Sequence, residues 1–311
     1  MPTTTGAFAE KAEMLANRCA KNLRKLRRPT VGTEDAFRIY DRDIPELPFV
    51  IDVYAARLHV SEFARPGTPE GDDHAEWLDA CLSATARSLQ VGPERIFVKV
   101  RDRQRGSTQY GRFGTAGARF EVREGAARLW VNLGDYLDTG LFLDHKPLRL
   151  RVGGLARGLR VLNLFAYTGA FSVHAALGGA ASTVTVDWSN TYLDWAEENF
   201  SLNSLSGNHR FVRDDVGAFL ADDRGEYDVI VVDPPTFSNR TGASVFDVQR
   251  DHDALVRACL RRLAPNGKLF FSTNFRRFKP GSSLAPFRET SAETVPPDFR
   301  DRRIHRSFAY P

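Results

Sequence analysis

Four groups of residues carry polar or aromatic chemistry, and each closes a short apolar run that reads as a β-strand. The first is the turn Asn163-Leu164-Phe165-Ala166-Tyr167-Thr168-Gly169. Its single glycine lacks the G-x-G-x-x-G spacing with which dinucleotide folds bring several backbone groups against a pyrophosphate. A ligand without phosphate, such as an adenosyl-amino acid, needs less: one glycine for close passage, with amides and carbonyls for its amino and carboxylate groups. Taken alone, a strand-to-helix turn that merely needs a glycine explains the motif better. The second is Asp187, 18 residues after Gly169. An acid at this strand end can accept from both hydroxyls of a ribose, and Trp188 beside it offers a flat face for adenine. Helix capping is the competing role, but Ser189 fills it. The third is Asp214-Asp215 before Val216, where Asp215 can accept from an adenine amino group or cap the following helix. The fourth is Asp233-Pro234-Pro235-Thr236-Phe237. A carboxylate after Val229-Ile230-Val231-Val232 is costly unless it is used. The prolines stiffen the turn and leave carbonyls free of local donors, and Phe237 presents a face for an extruded base. Any one of these could be a plain strand terminator. Four in order at successive strand ends fit a nucleoside-binding sheet.

The elements that must position these residues alternate from about Leu159 onward. Strands are expected at 161–167, 183–188, 210–215, 227–235 and 268–274, with helices after Gly169, over 190–203, after Asp215 and over 251–263. Short Val- and Phe-rich runs suit strands buried on both faces. The rhythm implies an α/β, doubly wound, Rossmann-like parallel sheet whose ligands lie at the carboxyl ends of the strands. Residues 41–149 read instead as a smaller β-rich part of an α+β N-terminal region, with strands at 49–54, 57–63 and 95–101, a hairpin of 118–124 and 127–133, and a helix over 76–90. Between them, Arg101, Arg103, Arg105 and Arg112 stand among glycines and Tyr110. That stretch is either a flexible polar loop or a surface for phosphates and unpaired bases.

Residues 1–40 read as a basic helix and linker. In 1–28, Lys11, Arg18, Lys21, Arg24, Lys25, Arg27 and Arg28 face Glu10 and Glu13, a local excess of five, while the whole chain carries +4. Met14, Leu15, Leu23 and Leu26 recur on a helical period, and Pro29 is the expected stop. A solvated amphipathic helix and a phosphate-contacting arm that gains affinity by counterion release account for this pattern equally. The expected division is therefore 1–40, 41–149 and 150–311, in line with roughly two domains for 311 residues.

Hydrophobic residues at 42% exclude wholesale disorder. Cys19, Cys81 and Cys259 form no C-x-x-C pair, so neither a zinc site, nor any other metal, nor a disulfide framework is expected. No leader and no run of roughly 18 apolar residues is read, so the expectation is a soluble, cytoplasmic, monomeric protein without membrane contact.

The single-glycine loop and the D-P-P-[Y/F]-like turn together resemble class I methyltransferases that modify nucleic-acid bases. The stretches 129–147, 160–200, DPPTFSN (233–239) and FDVQRDH (246–252) resemble, more narrowly, the bacterial large-subunit rRNA guanine-N7 methyltransferases. In enterobacteria such a domain forms the C-terminal half of the bifunctional large-subunit rRNA methyltransferase K/L. The similarity runs from about Cys19 to Tyr310. It implies S-adenosylmethionine as cofactor and, as substrate, a guanine of 23S rRNA near the peptidyl-transferase region, free or within an assembling large subunit. Carried across by position, Asn163 to Gly169 would line the methionine end of the cofactor, Asp187 and Trp188 the nucleoside, and Asp215 with Val216 the adenine. Phe142 and Asp144 belong to the TGLFLDHK segment, which packs over the cofactor in relatives. Asp233 to Phe237 would face the target base. Lys146 stands where the resemblance leads one to expect arginine. A second methyltransferase half is not read before this domain, which leaves room for a separate N2-guanine methyltransferase as partner.

Guanine N7 has a lone pair and no proton to lose, so this chemistry asks for alignment and electrostatics, not a general base. Cytosine C5 methylation would instead need a cysteine nucleophile, and Phe270-Phe271-Ser272-Thr273-Asn274-Phe275 offers none. Methylation of an exocyclic amine, N2 of guanine or N6 of adenine, remains open from the local motif. So does a non-catalytic rRNA assembly factor, although Gly169, Asp187 and Asp233 are all in place.

Overall fold

A computed structural model describes residues 4–30, 34–63, 65–100, 118–135, 138–238 and 246–311. The chain divides into two compact units. The first comprises Met1–Glu124, Val131–Thr139 and Asp298–Arg300; the second comprises Gly125–Trp130, Gly140–Pro297 and Asp301–Pro311.

In the first unit, helix α1 (Thr4–Thr30) precedes strands β1 (Ala36–Asp41), β2 (Phe49–Tyr54) and β3 (Arg57–Glu62), helix α2 (Gly71–Leu89) and strands β4 (Ile96–Val100) and β5 (Phe120–Glu124). The sheet order is β1-β2-β3-β4. The first three strands meander antiparallel, and α2 makes the crossover that lets β4 run parallel to β3. Every residue of β2 is buried, Asp52 included, and the Arg38 guanidinium meets its carboxylate at 2.7 Å. Phe49 stacks on Trp77 of α2 at 5.0 Å between ring centroids.

Helix α1 is not a detached arm. Phe8, Ala12, Leu15, Ala16 and Cys19 form its buried stripe in the core of this unit. Leu23 and Leu26 lie at the edge of that stripe as their spacing predicts, whereas Met14 points outward. The small residues Ala12 and Ala16 let α1 pack closely on α2. Strand β1 lies where only a linker is read from the sequence, and its pairing with β2 joins α1 to the same body.

The second unit begins around β6 (Ala127–Val131). There follow α3 (Lys146–Leu155), β7 (Arg160–Leu164), α4 (Ala170–Leu177), β8 (Ser182–Asp187), α5 (Asn190–Leu202), β9 (His209–Arg213), α6 (Val216–Asp222) and β10 (Tyr227–Val232). The remainder is β11 (Phe237–Ser238), β12 (Phe246–Asp247), α7 (Val248–Leu260), β13 (Leu263–Thr273), β14 (Arg288–Glu289), α8 (Ser291–Thr294) and β15 (Arg306–Tyr310).

The sheet order is β14-β15-β13-β10-β7-β8-β9. Strands β13, β10, β7, β8 and β9 are parallel, and β15 closes that edge antiparallel to β13. Leu162, Leu164, Ile230, Val232 and Phe271 pack with residues of α6 and α7. Val161, Val229, Val231 and Phe270 pack with Leu148 and Val152 of α3 and with Phe171 and Ala175 of α4. Burial on both faces explains the unbroken apolar runs. The chain steps from β7 to β8 on one side and reaches β10 on the other, so the crevice at the carboxyl ends of β7 and β10 is the topological switch point. Helix α7 starts before the expected position because Asp247 caps it, accepting from the amides of Gln249 (2.8 Å) and Arg250 (3.3 Å). No helix among the described residues is long and apolar enough to cross a membrane.

Leu15 is 1% exposed and Met14 45%. Leu15→Ala should therefore cost about 2–5 kcal/mol in urea unfolding. Met14→Ala should stay within about 0.5 kcal/mol of the parent.

Candidate functional site

The loop after β7 winds through three left-handed residues: Phe165 (φ 54°), Tyr167 (φ 51°) and Gly169 (φ 71°). Two of the three carry side chains, at a cost of order 1–3 kcal/mol each, and such strain persists only where neighbours over-determine it. Here they do. Asp187 accepts from the Tyr167 amide at 2.9 Å through one carboxylate oxygen and from the Ser189 amide at 2.9 Å through the other. Thr168 Oγ1 donates to the Gly140 carbonyl (2.7 Å), the Gly140 amide donates to Tyr167 Oη (2.9 Å), and Asn199 Nδ2 of α5 donates to the Thr168 carbonyl (2.9 Å). The Tyr167 ring lies between Phe142 and Tyr192, at 5.1 and 4.5 Å.

Gly169 is required by this packing. A Cβ there would lie 2.7 Å from the Cβ of Ala196 on α5, so close approach of a helix, as well as the left-handed φ, excludes larger residues. Asn163 sits below the loop and not on it. It is buried, and its Nδ2 donates at 3.0 Å to Ser172 Oγ, which also accepts from Thr185 Oγ1 at 2.7 Å. Its role is to tie β7 to the start of α4. Val216 likewise belongs to the core. Asp215 caps α6, accepting from the amides of Gly217 (2.8 Å) and Ala218 (3.2 Å), and Ser189 caps α5 as expected. Trp188 remains 43% exposed, with the Arg213 guanidinium 5.8 Å from its ring.

The loop after β10 is fixed from β13. Ser272 Oγ donates to Asp233 Oδ1 at 2.6 Å, and Thr236 Oγ1 donates to Asn274 Oδ1 at 2.6 Å. The STN run after the Phe pair thus supplies two hydrogen-bonding anchors. Pro234 and Pro235 stiffen the turn between those anchors, and Phe237 is 57% exposed. Phe142 is also exposed, so Phe142, Trp188 and Phe237 present aromatic surface beyond the strand ends.

Asp144 makes a different contact from the one its motif suggests. Its carboxylate lies 2.8 Å from Nδ1 of His305, just before β15, and 3.7 Å from Nε2 of His145. Burial alone would raise the Asp144 carboxyl, yet the neighbouring His145 and His305 rings and the Arg149 guanidinium hold it well below the usual carboxylate range. Burial pushes the His145 imidazole below the ordinary histidine range, against the opposing pull of Asp233 and Asp144. The buried cation of this segment is Arg149, which donates to the Phe142 carbonyl at 2.8 Å, while Lys146 is only half-buried. Ligand-type atoms of Asp144, His145 and His305 lie within 4.8 Å of one another. Both nitrogens of His305 are already engaged, by Asp144 and by Thr294 Oγ1 at 3.0 Å, so hydrogen bonding accounts for the group. His145, His305, Ser272 and Asn274 were not singled out in the sequence. The only sequence signal for any of them is the adjacency of His145 to Asp144.

Among the basic residues, Lys21, Arg24 and Lys25 are exposed on α1, and Arg18 stands 3.8 Å from Asp43. Arg27 and Arg28 fall in the last turns of α1, with only their backbone described. Arg101, Arg103, Arg105 and Arg112 lie outside the described residues.

Residues 37–303 match the family described as S-adenosylmethionine-dependent methyltransferase. The chain is 49% identical over 313 residues to the ribosomal RNA large subunit methyltransferase K/L of Ectopseudomonas mendocina, covering 97% of this chain and 43% of that protein. It is 46% identical to the protein of the same name from Pseudomonas aeruginosa, covering 99% and 43%. The chain thus spans less than half the length of these relatives. The solved structure of SMU.776, a putative methyltransferase complexed with SAH, superposes with a TM-score of 0.77 at 25% identity, covering 97% of this chain and 81% of that one. A putative SAM-dependent methyltransferase from Streptococcus mutans shares the fold, with a TM-score of 0.73 at 24% identity over 99% of this chain and 82% of that one.

All three cysteines are buried. Burial pushes the Cys81 and Cys259 thiols up to about 12 and raises that of Cys19 further. A thiol reagent at pH 8 should leave the native protein unlabelled and should titrate three thiols after unfolding. Rapid native labelling of Cys259 would reopen a cysteine-nucleophile mechanism.

Proposed function

Because the chain belongs to the S-adenosylmethionine-dependent methyltransferases, we propose that it transfers the cofactor's methyl group to a guanine of 23S rRNA, at N7. The single observation that carries the reading is the Asp233 carboxylate. It is anchored by Ser272 at the switch point, and the proline-stiffened turn that follows it leads to the exposed ring of Phe237. The residues at the neighbouring strand end fit the cofactor. Asp187, half-buried at the end of β8, sets a carboxylate suited to a ribose diol beside the exposed face of Trp188.

When bound, S-adenosylmethionine supplies an electrophilic methyl group on a sulfonium. The chain's own residues then have three tasks. Phe237 stacks the extruded base, and the Thr236–Asn274 bond holds the turn that carries it. Asp233 provides negative charge where the purine becomes cationic. A guanine N7 brings no proton, so alignment suffices without a general base. The C5-cytosine route fares worse because Cys259 is buried on α7. The exposed Lys21, Arg24 and Lys25 on α1 suit non-specific phosphate contacts.

Asp187→Ala should weaken S-adenosylmethionine binding by about 2 kcal/mol in calorimetry, the loss of charge-assisted hydrogen bonds. Unchanged affinity would mean that the nucleoside lies elsewhere.

The site of transfer is tested with labelled cofactor, purified protein and protein-free 23S rRNA. The expected product is 7-methylguanosine, revealed by strand cleavage after borohydride and aniline. Asp233→Ala should lose most turnover, and Cys259→Ser should keep most of it. Label on an exocyclic amine would leave the fold and cofactor reading intact and replace N7. Label on cytosine would overturn the mechanism.

A further inference from the structure

Behind Asp233 lies a set of buried polar groups that the strand-end motifs do not include. His145 is buried, with Nε2 3.4 Å from Asp233 Oδ2 and 3.7 Å from Asp144 Oδ2. Its ring stacks on His305 with centroids 4.3 Å apart and planes 9° from parallel, and it meets Phe171 edge-on at 6.1 Å. His305 cannot turn, because Asp144 holds Nδ1 and Thr294 holds Nε2, and Thr294 Oγ1 is itself 2.6 Å from Ser307 Oγ. The plane of His145 is therefore set by a clamped partner.

The protonation pattern follows from the contacts. Nδ1 of His145 is buried with no hydrogen-bond partner. A neutral imidazole has one N–H. Placing it on Nδ1 would bury an unmade donor and turn a lone pair toward two carboxylates. Placing it on Nε2 sets the donor 3.4 Å from Asp233 Oδ2.

We propose that His145 is a positioning residue for Asp233, its Nε2 side holding that carboxylate oriented toward the methyl acceptor. The proposal rests on reading the turn after β10 as the methyl-transfer site. The charged and titratable groups that face His145 are Asp233 after β10, Asp144 beside it, His305 before β15 and Arg149 on α3. Protonating His145 would set a positive charge against Asp233 and cancel the countercharge that a cationic product needs. Turnover should then be full above the depressed pKa of His145 and fall as the pH drops through it.

Two substitutions and one spectroscopic measurement test this. His145→Leu should lower kcat by about tenfold or more, while the KM for RNA and the affinity for S-adenosylmethionine change by less than about twofold. His145→Gln keeps a donor without a titrating ring, so it should retain turnover to within about threefold and lose the acid limb of the pH–rate profile. A His145→Gln enzyme with the parental acid limb, or a fully active His145→Leu enzyme, would overturn the proposal. Nitrogen-15 histidine NMR of the full chain needs no turnover. His145, assigned from the His145→Gln spectrum, should be the neutral Nε2–H tautomer at pH 7, and Asp233→Asn should move its midpoint lower still. An unmoved midpoint rules out the coupling whatever the substrate proves to be. A moved midpoint with no label on RNA would keep the coupling and count against the assigned reaction alone.

Discussion

Parallel pairing of β7 with β10 sets Leu164 beside Val232, with Asn163 beside Val231 one step earlier. Because these registers are fixed by apolar side chains on both faces, the first residues beyond each strand emerge at the same level. Phe165 and Asp233 therefore open onto one crevice. A slip of one residue would turn Leu164 and Val232 out of the α6–α7 face and carry the two loops apart.

Above that register, the loops are held by polar groups with more than one task. Asp187 ties Tyr167 to Ser189 through its two carboxylate oxygens, and Asn199 reaches from α5 to the Thr168 carbonyl while accepting from the Trp130 amide at 2.8 Å. These bonds offset the backbone strain of Phe165 and Tyr167. Their cost and their benefit fall in the same few residues, a pattern typical of sites that must keep one geometry. On the other side of the crevice, Ser272 and Asn274 do for the D-P-P-T-F turn what Asn199 and Gly140 do for the glycine turn.

The first unit obeys a separate rule. Its buried Asp52 is matched by Arg38, whose guanidinium lies 4.0 Å over the Phe299 ring, so the charge costs little within an otherwise apolar sheet. The stripe from Phe8 to Cys19 makes α1 part of that core, and its basic residues on the opposite face become the solvent surface of a folded body. Charge on this helix is thus compatible with both readings of the sequence, a structural helix and a surface for phosphates.

The parallel strands, the order of strand-end motifs and the capping roles of Ser189 and Asp215 could be read from the chain because each depends on local rules. An apolar run reports burial on both faces, and a cap needs only the amides two or three residues ahead. Helix α3 escaped because its pattern is weak: it holds two glycines and turns Arg149 inward. Strand β1 was hidden by the charged residues on either side of it, Glu34-Asp35 and Arg42-Asp43, although its Phe37, Ile39 and Tyr40 belong to the core. The atoms that Asn163 and Gly169 meet, Ser172 Oγ and Ala196 Cβ, belong to helices packed on the loop, so their packing roles lay beyond a local reading. His305 stands 161 residues from Asp144. Their contact arises only when β15 inserts antiparallel beside β13, an edge choice made by packing over long sequence separation. Periodicity therefore determined which residues go inside, while the identity of each buried polar group's partner was decided by which distant segments the folded core brought together.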